Sequence, residues 1–213
     1  MNCRMAHSDL PQEKARLRKL VLARRDGIPA EERDRRSRVL CERLSASCQP
    51  AVRPHAVIAA YHAFGSEPDM RHFLHEAYDR GCRVCLPCMV CEKADQLDKP
   101  YCSRMVFLEV DRESFEACEL PFLAQPTKAL DRDDPILAQF SVVEPTDIDV
   151  VVVPLVACDA ANNRMGYGGG HYDRFLSEVR SDALVVGVGF AEQMIESVPL
   201  ETHDKALHRV VTA

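Results

Sequence analysis

The sequence predicts a three-layer, Rossmann-like α/β fold over a single domain, residues 1–213, with a mainly parallel sheet and helices on both faces. Three observations carry the prediction. Short apolar runs of strand length alternate with segments whose apolar residues recur at helical spacing. Residues 148–153 are nearly all Val and Ile, as in a strand covered on both faces. Residues 55–61, a helical pattern at Met70, Phe73, Leu74 and Ala77, and residues 82–86 form a strand–helix–strand unit, the building block of parallel sheets.

In chain order, residues 13–25 read as a helix with Leu17, Leu20 and Val21 as its apolar stripe. Gly27 and Pro29 punctuate it, and a second helix over 30–45 turns Val39, Leu40 and Leu44 inward. Pro50 and Pro54 break the chain before the first strand. The turn Phe64-Gly65-Ser66 leads to the third helix, with Gly81 as its stop and Pro87 closing the strand that follows. Residues 105–110 read as another strand, and the acidic, proline-interrupted stretch 111–144 as loops and short pieces. A glycine-rich loop follows residues 148–153 and opens a helix over 170–180, with Tyr172, Phe175, Leu176 and Val179 facing inward. Residues 184–190 and 207–211 supply the last strands.

Composition narrows the function. Charged residues are 28% and hydrophobic residues 46%, an ordinary globular balance. No run approaches the ~18 apolar residues of a membrane helix, and the N-terminal dozen lacks the apolar centre of a secretory signal. The chain therefore reads as cytoplasmic and without a membrane partner, its ten cysteines as reduced thiols; a monomer is expected, though the sequence itself does not give the oligomeric state. A net charge of −6 argues against nucleic acid as partner. The charge is uneven: residues 14–43 hold eleven Lys/Arg against five Asp/Glu, and residues 109–149 hold three against eleven. Such a basic segment fits either a local anion site or a solvated helical face.

The chemistry concentrates in Arg164-Met165-Gly166-Tyr167-Gly168-Gly169-Gly170-His171-Tyr172-Asp173-Arg174. Four of the nine glycines fall between positions 166 and 170. Glycine lets backbone amides approach a ligand closely, and a helix start adds unpaired N–H groups and the positive end of its dipole. Together they suit phosphate. The loop has neither the Gly-Lys-Ser/Thr of a P-loop nor a GxGxxG fingerprint. Arg164 can grip phosphate oxygens, and Asp173 can hold Mg²⁺ beside them or simply charge the helix start. Glu67 lies past the carboxyl end of the first strand, where open α/β sheets bind ligands, or merely begins a helix.

Arg164 through Leu176 resembles the signature of the 5-formyltetrahydrofolate cyclo-ligase family. Lys14-Ala15-Arg16-Leu17-Arg18 resembles that family's N-terminal Lys-x-x-x-Arg helix, and Glu67-Pro68-Asp69 its acidic pair after the first strand. Asp149 through Pro154, residues 187–193, Pro199 and His203-Asp204 are similar to the remaining family segments, so the likeness spans nearly the whole chain. It implies ATP and Mg²⁺ as cofactors and 5-formyltetrahydrofolate as the small-molecule substrate. Lys14 and Arg18 are implied to bind phosphates, and with Arg164 and Tyr172 to serve catalysis. Arg164, Met165, Gly166, Tyr167, Gly168, Gly169, Gly170, His171 and Tyr172 are implied to wrap the nucleotide. Glu67, with Tyr167, Gly168, Gly169, Gly170 and His171, is implied to meet the folate, and Asp173 and Asp204 to hold Mg²⁺. His171 departs from the family's usual Tyr, and Pro68 after Glu67 is also unusual.

The implied reaction phosphorylates the N5-formyl oxygen, after which N10 attacks the activated carbon and phosphate leaves as the methenyl ring closes. Two other classes can use comparable features. A sugar-phosphate isomerase or CoA-transferase-like enzyme would show no ATP dependence, and a non-catalytic metal protein would be built on Cys82, Cys85, Cys88 and Cys91. The second is disfavoured because residues three apart on a strand point to opposite faces.

Overall fold

The computed structural model describes residues 10–93, 101–117, 120–201 and 206–213. Its frame is an eight-stranded sheet. The strands are β1 (Val57–Ala59), β2 (Arg83–Lys93), β3 (Tyr101–Glu109), β4 (Leu130–Asp131), β5 (Val142–Val143), β6 (Val150–Pro154), β9 (Leu184–Gly189) and β10 (Arg209–Thr212). Two more strands, β7 (Ala157–Cys158) and β8 (Arg164–Met165), form a small antiparallel pair beside it. The order across the sheet is β10-β9-β6-β1-β2-β3-β5, with β4 also on β2. Pairs from β10 through β2 and the β2–β4 pair are parallel, whereas β3 runs antiparallel to both neighbours.

Side-chain alternation assigns the two faces. Ile58, Val84, Leu86, Val150, Val152, Val186 and Val188 join the core beneath α2 (Ala30–Ser47) and α3 (Arg71–Asp79). Val57, Ala59, Cys85, Val151 and Val153 face the opposite way, toward Phe175 of α6 (His171–Glu178). Every central position is buried, so the strands read as continuous apolar runs, and the expected helix–sheet–helix layering is present. The stretch expected to hold short pieces contains α4 (Arg112–Ala117) and α5 (Pro121–Ala124), whose Phe115, Phe122 and Leu123 extend the first core.

The first helix, α1 (Leu10–Asp26), turns Leu17 and Val21 of its expected stripe inward but not Leu20. Val21 is fully buried with Val156, Ala157, Met165 and Val198, whereas Leu20 is 41% exposed. The helix lies over the β7–β8 pair rather than over the main sheet, so its inward face is narrow. On α2, Leu40 and Leu44 are buried and Val39 is half-buried.

Pro87 does not close its strand, contrary to expectation. The Val110 N–H bonds the Val84 carbonyl and the Ala60 N–H bonds the Cys85 carbonyl, so odd positions of β2 face β1. Pro87, opposite Phe107 in the β2–β3 register, therefore turns its donorless nitrogen toward the side where β1 stops at Ala59. It ends the parallel pairing with β1, and β2 continues to Lys93 as one arm of an antiparallel ribbon with β3. No helix among the described residues is long and apolar enough to cross a membrane.

Candidate active site

The carboxyl ends of the adjacent parallel strands β1 and β6 open into a cavity of about 480 Å³. Its wall includes Lys14, Arg18, Glu67, every residue from Arg164 through Asp173, and Glu201. All sequence-predicted site residues except Asp204 thus face one space; Asp204 lies outside the described residues.

The glycine loop is reached through the β7–β8 turn rather than directly from β6. The buried Asp159 carboxylate shapes that turn by accepting the N–H groups of Ala161, Asn163 and Val198. Beyond β8, Gly166 presents its carbonyl to Arg18 Nε at 2.8 Å. Gly168 adopts φ +100°, and a Cβ there would stand 3.2 Å from the Arg18 guanidinium carbon. The left-handed backbone favours glycine at this position, and the Arg18 side chain would have to give slightly to admit a Cβ. Gly170, at φ +65°, caps α6, and Arg174 Nη2 ties the turn together by donating to the Gly169 carbonyl at 3.0 Å.

Lys14 and Arg18 lie four residues apart on one face of α1 and both reach the cavity. Lys14 pairs with Glu201 at 2.8 Å. Arg164, almost fully buried, pairs with the exposed Asp173 carboxylate at 2.5 Å. Among the described residues no carboxylate pairs with Arg18, so its charge faces the cavity without an acidic partner.

Glu67 sits across the cavity. Gly65 turns the chain at φ +64°, and the Phe64 N–H then donates to Glu67 Oε2 at 3.0 Å. The Tyr167 hydroxyl donates to Oε1 at 2.9 Å, tying the glycine loop to the loop after β1. Burial pushes the Glu67 pKa above the usual carboxylate value, against the Phe64 amide, the Tyr167 hydroxyl and the nearby Arg25 cation, which lower it. Tyr61, Phe64, Met89, Met105 and Tyr172 supply flat aromatic and thioether surface suited to a planar ring system. The buried Tyr172 hydroxyl has no partner among the described residues.

Sequence reasoning missed Arg25 and Glu201. Arg25 was detectable: Lys14, Arg18 and Arg25 occupy positions i, i+4 and i+11, which share one helix face. Glu201 had no such signal, because its pairing with Lys14 spans 187 residues.

The cysteine ladder does not converge. Cys82 and Cys88 belong to the core beneath α2 and α3, and Cys85 to the opposite face. Burial raises the thiol pKa of Cys85 well above its ordinary value and that of Cys88 to about 11, which keeps them protonated and poor as metal ligands.

A cleft over the carboxyl ends of a parallel sheet, with a glycine loop, cations from a separate helix and an apolar wall, defines an α/β protein whose one cavity has a cationic side and an apolar side. Residues 11–213 match the model of the 5-formyltetrahydrofolate cyclo-ligase family. The chain belongs to that family. It is 27% identical over 212 residues to the 5-formyltetrahydrofolate cyclo-ligase of Mycolicibacterium smegmatis, covering 95% of this chain and 94% of the relative. It is 28% identical over 194 residues to that of Escherichia coli, covering 91% and 96%. Its fold is similar to a Mycoplasma pneumoniae 5,10-methenyltetrahydrofolate synthetase structure, at TM-score 0.69, 19% identity and coverage of 93% and 98%. The Aquifex aeolicus 5,10-methenyltetrahydrofolate synthetase aligns at TM-score 0.63, 25% identity and coverage of 93% and 89%.

Proposed function

We propose that this chain converts 5-formyltetrahydrofolate to 5,10-methenyltetrahydrofolate with ATP and Mg²⁺, releasing ADP and phosphate. The observation that carries this reading is the single cavity shared by Lys14, Arg18, Glu67 and the 164–173 segment. Family membership supplies the reaction, and the cavity's cationic and apolar sides match its two substrates.

Amide-like oxygen is a poor leaving group, and phosphorylation by ATP makes its departure possible. The chain's own part is to position the reactants and neutralise charge. Arg18, lying across Gly166 and Gly168, faces the anion that the loop amides bind. Lys14 and Arg164 each carry a carboxylate partner at the cavity wall, and a phosphate can compete for both cations. Glu67, fixed by two donors, keeps oxygen lone pairs to accept N–H groups of the folate ring. Tyr172 offers a buried hydroxyl to the same space.

Asp173 fits a role in holding Mg²⁺, together with Asp204 outside the described residues. Mg²⁺ commonly takes one or two carboxylates and completes its shell with water and phosphate oxygens. The ion would supply charge neutralisation at the transferred phosphoryl group.

The test is direct. Purified protein, ATP, Mg²⁺ and 5-formyltetrahydrofolate are mixed and methenyl absorbance is followed. Growth that stops on omitting ATP or chelating Mg²⁺ is expected. A folded protein that produces no methenyl product under these conditions would overturn the proposal.

A further inference from the structure

Arg25 is 3% exposed, yet no carboxylate pairs with it directly among the described residues. It reaches two acids only through hydroxyl groups. Its Nε donates to Ser66 Oγ at 2.8 Å, and that hydroxyl donates to Asp26 in a short hydrogen bond. Its Nη2 donates to the Tyr167 hydroxyl oxygen at 2.8 Å, and Tyr167 in turn donates to Glu67. The guanidinium carbon also lies 5.8 Å from the Tyr167 ring centroid. Its Nη1 is buried with no partner in the described structure.

A buried cation with an unsatisfied nitrogen costs stability, so its position calls for a use beyond holding the fold. This one is fastened to a residue of the glycine loop and, one hydroxyl further on, to the carboxylate that faces the folate side. Accepting the guanidinium proton on the Tyr167 oxygen orients the remaining O–H toward Glu67 and strengthens its donation. The links span 142 residues from α1 to the loop and 100 residues from the loop to Glu67, so three separate segments are pinned at one point.

We infer that Arg25 is a positioning residue for substrate binding: acting through Tyr167, it fixes the Glu67 carboxylate and ties its geometry to the glycine loop. The role in folate binding rests on the function proposed above; the relay itself does not.

The charged and titratable groups around Glu67 are Arg25 from α1, Tyr167 from the glycine loop, Tyr172 from α6 and Tyr61 from the loop after β1. The Phe64 amide is its other donor. Burial raises the Glu67 pKa, while Arg25 and Tyr167 hold it down. Removing either one lets it rise further, so the carboxylate is lost at a higher pH as the solution is acidified.

The experiment compares full-length wild type with Tyr167→Phe, Arg25→Gln and Arg25→Lys. Carbon-13 NMR of the glutamate carboxyl carbons, with the Glu67 signal assigned by its absence in Glu67→Gln, follows Glu67 without any substrate. In parallel, kcat and KM for 5-formyltetrahydrofolate are measured against pH. The Glu67 titration is expected to move to higher pH in Tyr167→Phe and Arg25→Gln, and the acid limb of kcat/KM with it. KM should rise roughly tenfold, the usual scale for losing a hydrogen bond to a charged group, with kcat little changed. Arg25→Lys, which keeps the charge but loses the planar fork, should fall between. Tyr167→Phe removes only a hydroxyl from a half-exposed side chain, so the test survives if Arg25→Gln fails to fold. A Glu67 titration and acid limb that stay at their wild-type pH in folded Tyr167→Phe would overturn the inference. A moved titration in a protein that makes no methenyl product would keep the relay and reject the proposed function.

Discussion

The glycine loop at 166–170 and the cysteine series at 82–91 are the two most regular motifs in this chain, and they meet opposite fates. The loop's backbone turns through left-handed conformations at Gly168 and Gly170, so neighbouring groups converge on one cavity. The cysteines ride an extended strand, so each step of three carries the next thiol to the other face of the sheet. Spacing alone is therefore not a site. The backbone conformation under the spacing decides whether side chains gather or scatter.

The largest test of this contrast is Asp173→Ala. It removes the exposed carboxylate beside the loop and releases Arg164, and turnover should fall by at least ~10²–10³ while the fold survives. Unchanged turnover in a folded variant would detach the acidic residue from the reaction. Gly168→Ala should come next. Its Cβ would press on the Arg18 guanidinium at a backbone angle costly to alanine, by roughly 1–2 kcal/mol. Steady-state kinetics should show about a tenfold higher KM for ATP, with circular dichroism close to wild type.

On the cysteine side the effects shift from activity to stability. Cys85→Ser buries a hydroxyl in a fully enclosed position, which should cost about 1–3 kcal/mol and lower the melting temperature by roughly 2–4 °C per kcal/mol. Specific activity of the folded protein should not change; a lost activity with stoichiometric zinc or iron in the wild type would reverse the contrast. Cys91→Ser, at a half-buried position, should alter stability by less than about 0.5 kcal/mol in a thermal melt.

Much of the site was legible because its signals are local. Lys14 and Arg18 share a helix face, the glycines cluster within five positions, and Glu67 follows the first strand closely. The central strands were legible from their unbroken apolar runs. What escaped depended on partners distant in the chain. Arg25 gains its meaning only from Tyr167 and Ser66, and Lys14 meets Glu201 across the whole fold. Leu20 looked like core because it falls on the apolar stripe of α1, but the helix buries only a narrow face, with Val21, against the β7–β8 pair. Pro87 looked like a strand end because a proline forbids one bond, and sequence does not say which side of the strand that bond would occupy.

That proline has a consequence for how the cavity wall is coupled to the sheet. Below Pro87, β2 is held between β1, parallel, and β3, antiparallel; above it, the strand leaves β1, keeps β3 and meets β4 at Val90 and Cys91. Met89, Ser103 and Met105, which line the cavity, all belong to this upper ribbon. Met89 and Met105 also pack in one core cluster with Val57, Ala59, Cys85, Val151 and Val153, so the cavity wall and the parallel strands share their packing. Pro87 thus marks where one long strand passes from the parallel sheet into the ribbon that walls the cavity, so a change in the ribbon is transmitted to the strands it packs on.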